Sequence, residues 1–314
     1  MRSRIVPAEQ AGIRLDAFVR RLVPHLSRRE AEKAMDEKFF LIDGKPGKKG
    51  ERLAAGAVVS FVGPEPWLSE GPLPNGQLRV SIVYEDSHLL IVRKPAGMDT
   101  HGFSGRDTET LANFLAAERP DLLTVGASRW EPGLVHRLDR ETSGLVLIAK
   151  TQRAFELLRL QFRRRQIKKS YWALVWGVTA AQGTISYPLV HDTRDNRRMQ
   201  AILNPEKRMT KQRSWKALTR FRKLNDAQGV SLLEIEMETG VTHQIRVHLA
   251  SIGHPIVGDS LYGAEHLEAF ALQRHFLHAC RLELQHPQTG RPVRAEAGLP
   301  DDLRGVLENL KLEL

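Results

Sequence analysis

The clearest pattern in the chain is a short apolar run, LVLIA, at residues 145–149. A run this short, bounded by glycine and lysine and rich in Val, Leu and Ile, predicts a buried β-strand. A polar loop precedes it, in which Asp139 stands between Arg137 and Arg140. Such a loop can hold a reactive side chain rigidly near solvent. The alternative, an ordinary surface ion pair in a turn, stays open at this point.

Two short helices and two strands are predicted near the start of the chain. Apolar positions at helical spacing predict the first helix, and a capping box of Ser27 and Glu30 predicts where the second begins. A tight Asp-Gly turn follows the first strand. The four elements are predicted at 13–22, 28–37, 39–42 and 58–62.

The second predicted helix carries basic residues where the helix dipole disfavours them. Arg28 and Arg29 stand in its first turn, the positive end of the dipole, and Lys33 follows one turn later. Lys45 lies in a further basic cluster after the first strand. These positions indicate contact with phosphate. The alternative, that the basic residues simply form a solvent-exposed face of the helix, is equally open.

A stretch rich in proline and glycine, GPEPWLSEGPLPNG, occupies residues 63–76. This composition predicts a semi-stiff linker between two separately folded parts. We therefore predict a small module over 1–62, a linker over 63–78 and a larger domain over 79–314.

The larger region combines strands and helices with a basic segment beside an aromatic strand. Lys168 and Lys169 end a very basic run and lead directly to Tyr171. Basic side chains beside an aromatic ring are what a site for a stacked nucleobase requires. In this part of the chain we predict strands at 80–83, 89–92 and 171–176 and helices at 110–118 and 153–165.

The last third of the chain contains a second basic segment and an amphipathic helix. Residues 194–213 predict a flexible hairpin rich in phosphate-seeking side chains. An alternating strand is predicted at 232–239, followed by a helix over 242–252 with Thr242 as its N-cap. Arg246 then lies at the edge of the core-facing side of that helix, where it can reach a carboxylate.

The composition favours a nucleic-acid partner. The chain has 314 residues and a formal net charge of +10, and Lys and Arg supply most non-specific affinity for phosphate backbones. The single cysteine, Cys280, excludes a disulfide framework and a cysteine-based zinc site. No apolar run is long enough for a transmembrane helix, and the N-terminus lacks an apolar signal core. These features together predict a protein of the reducing cytoplasm.

Several common catalytic motifs are absent from the sequence. It contains no HExxH or paired-cysteine motif, no GxxxxGK[ST] phosphate loop, no dinucleotide fingerprint and no GxSxG elbow. The sequence therefore gives no support for a metalloenzyme, an ATP- or NAD-dependent enzyme, or a serine hydrolase, and no metal is expected.

The segments RLDAFVRRL, LSRREAEKAM and FLIDGKPGKKGERLAAGAVVSFV resemble the αL RNA-binding domain, first recognised in a ribosomal small-subunit protein. One departure is Lys38, where that family more often has glycine before the strand. The departure concerns the geometry of the turn between helix and strand.

Five further segments stand in a distinctive order: VYEDSHLLIVRKPAGM, GLVHRLDRETSGLVLIAKT, IKKSYWALVWG, TGVTHQIRVHLASIGHPIVGDSLYG and FLHACRLELQHPQTG. This set resembles the RluA-type family of RNA pseudouridine synthases over nearly all of residues 80–300. The HRLDRETSG stretch is highly specific. Val241 departs from the family pattern, which has arginine before THQIR, so one phosphate contact is expected to be missing.

The resemblance implies an α+β catalytic domain with a mixed, largely antiparallel central sheet. It also implies conversion of uridine in RNA to pseudouridine without a cofactor. The family's catalytic aspartate falls on Asp139, the arginine that pairs with it on Arg246, and the tyrosine that stacks on uracil on Tyr171. Arg137 fits the family's role of holding a flipped-out nucleotide. The further substrate-binding residues implied are Leu138, His243 and Gln244.

The expected substrate is large-subunit (23S) ribosomal RNA, because αL domains accompany the ribosomal members of the family. A transfer-RNA substrate is the alternative within the same class, and a non-catalytic RNA-binding or ribosome-assembly factor is the alternative from another class. A monomer is expected. Whether Asp139 attacks C1′ or removes a proton from C2′ stays open. The expected RNA-binding residues are Arg28, Arg29, Lys33, Lys45, Lys168 and Lys169.

Overall fold

The structure, a computed structural model, describes residues 2–24, 26–204, 212–263, 270 and 272–314. Its N-terminal elements are β1 (Arg2–Ile5), α1 (Leu15–Leu22), α2 (Arg28–Asp36), β2 (Phe40–Ile42), β3 (Lys45–Pro46) and β4 (Val58–Phe61). The four strands form an antiparallel sheet in the order β1-β4-β2-β3. The two predicted helices and both predicted strands are present, and β1 and β3 are added to them.

Both ends of α2 are set by local sequence. The capping box is confirmed, since Ser27 Oγ accepts from the Glu30 N–H at 3.2 Å and Glu30 Oε2 accepts from the Ser27 N–H at 3.0 Å. At the other end, Lys38 adopts a left-handed conformation with φ of 61°. Lys38 therefore occupies a turn position that favours glycine.

Part of the predicted linker packs on the N-terminal core. Glu65–Leu68 forms a 3₁₀ helix, and Trp67 is buried in the same cluster as Phe18 and Phe40. A second hydrophobic cluster, which begins at Leu89, forms the core of the larger part. The domain boundaries drawn from composition stay predictions, and Trp67 belongs to the N-terminal core although it follows the first of them.

The larger part consists of a broad sheet with helices on its flanks. Its strands are β5 (Ser81–Glu85), β6 (Leu89–Lys94), β7 (Ser143–Ala149), β8 (Lys168–Trp176), β9 (Gln182–Ile185), β10 (Leu189–His191), β11 (Met199–Ala201), β12 (Thr219–Ala227), β13 (Val230–Met237), β14 (Leu277–Gln285) and β15 (Pro292–Glu296). Its α-helices are α3 (Leu111–Glu118), α4 (Gln152–Arg163), α5 (Gln244–Ser251) and α6 (Asp301–Leu310).

Within the described residues, nine of these strands form one sheet in the order β5-β6-β7-β14-β8-β13-β12-β9, with β15 paired to β14. Every neighbouring pair is antiparallel except β7 and β14, which are parallel. The predicted α+β class with a mixed, largely antiparallel sheet is therefore confirmed.

The strand β7 is the buried strand that the apolar run predicts. All residues of Ser143–Ala149 are buried, and the strand lies between β6 and β14. Gly144 has a φ of 119° and pairs with Ala279 of β14, and a Cβ at Gly144 would overlap the Ala279 backbone. The close parallel approach of β7 to β14 therefore requires glycine at this position.

Several predicted elements have other bounds in the structure. The strand predicted over 171–176 begins at Lys168, and the strand predicted over 232–239 lies at Val230–Met237. The helix predicted over 242–252 begins at Gln244, because His243 is left-handed with φ of 55° and takes the N-cap position expected for Thr242. The hairpin predicted over 194–213 is formed by β10 and β11 and so begins earlier in the chain. Three of the basic residues predicted in that segment, Lys207, Arg208 and Lys211, lie outside the described residues.

Candidate active site

Three neighbouring strands bring the Asp139 loop next to Tyr171. Gly144 of β7 pairs with Ala279 of β14, and Ala279 pairs with Tyr171 of β8. The loop that carries Asp139 leads directly into β7. Asp139 and Tyr171 consequently line the same open cavity, of about 650 Å³.

Hydrogen bonds hold the Asp139 loop on both sides. After Asp139, Thr142 Oγ1 shares a hydrogen bond of 2.7 Å with His275 Nε2. Before it, Thr100 Oγ1 donates to the Leu138 carbonyl at 2.8 Å and accepts from the Leu138 N–H at 3.1 Å. These bonds fix the backbone on either side of the carboxylate, so its position is set before any ligand binds.

Two further side chains support the loop from the protein interior. The Lys94 ammonium is fully buried and donates to three carbonyl oxygens, among them that of Arg140 at 3.1 Å. Burial lowers the pKa of Lys94 to about 7. His136 Nε2 accepts the Leu147 N–H at 2.9 Å, and burial lowers the pKa of His136 to about 3. His136 is therefore a neutral acceptor that ties the loop to β7.

Arg246 links Asp139 to a second carboxylate, Asp259. Its guanidinium donates to Asp139 Oδ2 at 3.2 Å and makes two bonds to Asp259, at 2.7 and 2.8 Å. Asp259 is fully buried, whereas Asp139 keeps 26% of its side chain exposed. Burial opposes the charge on Arg246, but the bonds to Asp259 outweigh it, and the net effect raises the pKa of Arg246. A permanent cation therefore faces Asp139 from the helix α5.

The floor of the cavity carries Tyr171 and Lys169 on one face of β8. Burial, followed by the charge of Asp139, raises the pKa of the Tyr171 hydroxyl well above its usual value of 10. The Lys169 ammonium donates to the Thr239 carbonyl at 3.3 Å, and burial lowers the pKa of Lys169 to about 8. The cavity thus holds a protonated phenol and a desolvated ammonium close to a carboxylate.

The start of α5 also lines this cavity. Arg137 donates to Thr242 Oγ1 at 2.8 Å. His243 Nδ1 shares a hydrogen bond of 2.9 Å with the Tyr262 hydroxyl, while His243 Nε2 is 3.9 Å from Asp139 Oδ2. The left-handed conformation of His243 turns its ring toward the carboxylate, so the departure from regular helix is part of the site.

Leu138 and Gln244 are both predicted to bind substrate, and both line the cavity. They differ in how available their side chains are for a substrate contact. Leu138 is buried and presents an apolar surface beside Asp139. The Gln244 amide donates to the Leu218 carbonyl and Thr219 Oγ1 and accepts from Thr239 Oγ1 and the Val241 N–H. These four bonds use its whole hydrogen-bonding capacity, so a substrate contact by Gln244 would have to replace one of them.

Comparisons with known proteins agree with this arrangement of side chains. The sequence model of the RNA pseudouridylate synthase family matches residues 88–251, which include Asp139, Tyr171 and Arg246. A protein of Chloroflexus aurantiacus described as an RNA pseudouridine synthase is 41% identical over 98% of this chain and 93% of its own length.

The chain belongs to the RNA pseudouridine synthase family.

Other proteins similar to this chain support the same family assignment. Ribosomal large subunit pseudouridine synthase D of Nitrosomonas europaea is 34% identical, over 98% of this chain and 87% of its own length. The solved structure of human RNA pseudouridylate synthase domain containing 4 superposes with a TM-score of 0.58 at 25% identity, covering 74% of this chain and 94% of its own. The predicted family, uridine isomerisation in RNA and the enzyme class are confirmed.

The N-terminal part of the synthase matches a second family model. The S4 domain model matches residues 13–59, which confirms the RNA-binding domain predicted there. Arg28, Arg29, Lys33 and Lys45 are all exposed on it, and Lys168 is exposed on β8. Lys169, by contrast, is buried in the cavity beside Tyr171 and not on the open surface.

Sequence reasoning missed four residues of the synthase site. Asp259 and Tyr262 were given no role, although both stand in the segment TGVTHQIRVHLASIGHPIVGDSLYG, which carries the family resemblance. Thr100 and His101 carried no recognisable signal, because their importance depends on contacts with residues distant in sequence. The one signal available for Asp259 was a carboxylate two residues after the apolar pair Ile256-Val257.

The described residues lack two kinds of feature. They hold no helix long and apolar enough to span a membrane. They also hold no group of three or more His, Cys, Asp or Glu side chains placed to bind a metal ion.

Proposed function

We propose that this synthase isomerises specific uridines of large-subunit ribosomal RNA, with Asp139, Tyr171 and Arg246 as its catalytic residues. The observation that carries the proposal is the Asp139 carboxylate, paired to a buried arginine and facing a cavity that also contains Tyr171. The ribosomal substrate is supported by the name of the Nitrosomonas relative and by the exposed cations of the S4 domain.

In the proposed reaction the base leaves and returns to the same ribose. The C1′–N1 bond breaks, the uracil turns, and a C1′–C5 bond forms, after which C5 loses a proton and N1 gains one. Atoms and electrons balance without a co-reactant, so no cofactor or metal is invoked. Asp139 acts at the ribose, either by attack on C1′ or by removing the C2′ proton. Both routes need an ionised carboxylate, and the Arg246 guanidinium donates a hydrogen bond to it.

The other predicted residues receive supporting roles in this proposal. Tyr171 stacks on the uracil and transfers a proton at C5, and Leu138 supplies an apolar contact to the base. Arg137 holds the nucleotide in its flipped-out position, and His243 binds substrate beside Asp139. The target base must leave its stack because Asp139 cannot reach C1′ inside a helix.

The proposal is tested by mapping pseudouridines in total RNA from cells that lack the protein. We expect specific sites in the large-subunit RNA to disappear. The intact chain should restore them and Asp139→Ala should not, while Asp139→Ala keeps most of the RNA affinity. Asp121→Ala, which removes an exposed carboxylate outside the cavity, should restore them fully.

Three other results of the pseudouridine mapping would contradict parts of the proposal. Loss of sites in transfer RNA alone would replace the ribosomal substrate. Restoration of the sites by Asp139→Ala would remove the catalytic role of that residue. If no site in any RNA depends on the protein, a non-catalytic assembly factor becomes the better description.

We also propose that the synthase acts as a cytoplasmic monomer divided into residues 1–62, 63–78 and 79–314. Arg28, Arg29, Lys33, Lys45 and Lys168 are proposed to contact phosphate. Replacing Arg29 and Lys45 by glutamine should reduce the slope of log affinity against log salt by about 0.7 to 0.9 per lost contact. An unchanged slope would show that these two residues do not bind RNA.

A further inference from the structure

A second cavity adjoins the first on the other side of Asp139. Its volume is about 400 Å³, and it shares Arg137, Asp139 and His243 with the first cavity but does not reach Tyr171. Arg137 therefore stands between the two spaces and is held there by Thr242. A strand of RNA with its target uridine in the first cavity would pass a neighbouring nucleotide into the second.

Phe103 lines the second cavity with its ring open to solvent. It is 74% exposed, the highest fraction among the large apolar side chains of the described ranges. Its ring is nearly perpendicular to the His101 ring, with 5.0 Å between centroids and an interplanar angle of 80°. The His101 contact thus helps to fix the Phe103 ring, while most of the ring stays accessible to a ligand.

The turn that carries Phe103 is held by a single carboxylate. Asp107 Oδ2 accepts from the N–H groups of Phe103 and Ser104, at 2.8 and 2.9 Å, and from Ser104 Oγ at 3.2 Å. Gly102 packs so closely on Asp107 that a Cβ would overlap it. Little conformational freedom is left to be lost on binding, which favours a role as a fixed platform.

The same loop is fastened to the S4 part of the synthase. The Arg106 guanidinium lies 3.9 Å from the centre of the Trp67 ring and donates to Glu30 Oε1 at 3.3 Å. Glu30 is also the capping residue of α2, the helix that opens with Arg28 and Arg29. Phe103 therefore projects from a segment that connects the basic helix of the S4 domain to the Asp139 cavity.

The charges around Phe103 favour a nucleotide as its partner. Arg140 also lines the second cavity, but it is paired with Asp99 and Glu141, at 3.4 and 3.6 Å. The Arg137 guanidinium donates to a hydroxyl group, that of Thr242, and so keeps its charge available for a phosphate. An open aromatic face beside an available guanidinium is the combination that binds unpaired nucleotides.

We propose that Phe103 is a stacking platform for the nucleobase next to the target uridine, held in the second cavity. This inference rests on the proposed function, since it requires RNA in the first cavity. Stacking there would favour RNA in which the neighbouring base is unpaired, and would help to keep the uridine out of its own stack.

The test uses the full chain and a synthetic stem-loop centred on a uridine that the wild-type synthase modifies. Phe103→Ala should lower kcat/KM by about 10- to 100-fold, as loss of one stacked base implies. Phe103→Trp should retain the wild-type value, and Phe103→Leu, which is apolar but not aromatic, should not. Val178→Ala removes another highly exposed apolar side chain, outside both cavities, and should have no effect.

Abasic nucleotides placed on either side of the uridine identify the partner. At one position the abasic RNA should reduce wild-type activity to the level of Phe103→Ala, and should not reduce that variant further. Equal activity of Phe103→Ala and wild type, or additive losses at every position, would overturn the inference. A wild-type chain that modifies no RNA would instead count against the proposed function.

Discussion

Arg246 and Asp259 form a buried ion pair with two hydrogen bonds, of 2.7 and 2.8 Å, and the third bond of the same guanidinium reaches Asp139. Because Asp259 also accepts the Leu261 and Tyr262 N–H groups, its own position is set by backbone. Asp259 therefore determines where the cation that faces Asp139 can lie.

Replacing Asp259 by asparagine should reduce kcat more than it affects RNA binding. The amide keeps the shape of the side chain but loses the charge and one acceptor, so Arg246 is no longer held in line with Asp139. A displacement of about 1 Å at a reacting group can cost roughly 100-fold in rate. We expect kcat for pseudouridine formation to fall by about that factor while KM for RNA changes little.

A matched variant separates this effect from loss of stability. Glu85→Gln also removes the charge of a carboxylate that accepts two hydrogen bonds from Arg119 and one from Lys150. Glu85 lies outside both cavities. This variant should lower the melting temperature and leave kcat unchanged. A wild-type kcat in folded Asp259→Asn would contradict the positioning role.

The hydroxyl of Tyr171 can be tested apart from its ring. Because burial raises the pKa of Tyr171, the hydroxyl is protonated at neutral pH, so it takes up the C5 proton only as it passes its own proton to another acceptor. Tyr171→Phe keeps the stacking surface and should lower kcat by about 100-fold or more, the usual contribution of a positioned proton donor or acceptor, with RNA affinity retained. Tyr171→Leu should lose affinity as well. If Tyr171→Phe keeps the wild-type kcat, the ring alone serves the reaction.

Lys169 predicts a specific pH dependence of RNA binding. Burial lowers its pKa to about 8, so the side chain loses its charge above that pH while exposed lysines keep theirs. Between pH 7 and 9.5 the wild type should therefore lose more RNA affinity than Lys169→Arg, which stays charged. Parallel affinity curves for the two proteins, measured by filter binding, would exclude a charge-dependent contact at Lys169.

Stability should change with pH in the opposite direction. The folded pKa of Lys169 lies below that of an unfolded lysine, so the folded chain binds fewer protons between about pH 8 and 10.4. The Lys169 contribution to the free energy of unfolding rises across that window, by at most about 1.4 kcal/mol per pH unit. Lys169→Met should lack this rise in urea unfolding measured at each pH.

Gly144→Ala should prevent a stable fold, because the added Cβ would overlap the Ala279 backbone where β7 meets β14. Neither strand can move without opening the sheet, and the φ of 119° is unfavourable for alanine in any case. Gly305→Ala is the matched control. Gly305 lies inside α6 with free space around it, so this change should stabilise the protein by about 0.5 to 1 kcal/mol. Urea unfolding of both variants checks the difference.

Lys38→Gly should stabilise the S4 domain by about 1 kcal/mol, since glycine carries no steric penalty at a left-handed φ of 61°. Glu37→Gly, one residue earlier and with φ of −78°, should destabilise it. Thermal unfolding of the two variants distinguishes relief of strain from a general effect of glycine. Equal destabilisation by both would mean that the Lys38 turn is not strained.

Much of the fold was contained in local sequence. The capping box of Ser27 and Glu30 and the apolar run of β7 each depend on residues a few positions apart, so pattern alone located them. Asp139, Tyr171 and Arg246 were found because they stand in short motifs that resemble those of a known family. The prediction of Thr242 as an N-cap was wrong, because the left-handed conformation of His243 is stabilised by contacts from elsewhere in the chain.

What sequence did not reveal depends on contacts between distant positions. Nothing near Asp259 in the chain shows that it holds Arg246, and nothing near Arg106 shows that it packs on Trp67 of the S4 core. Gln244 resembles a substrate ligand until its four protein partners are seen. The sequence by itself determined the main elements and the family, and it supplied the candidate catalytic residues, since these are encoded by local pattern and motif. Only the tertiary structure decided which side chains are free to meet RNA, because burial and hydrogen-bond occupancy are set by residues far apart in the chain.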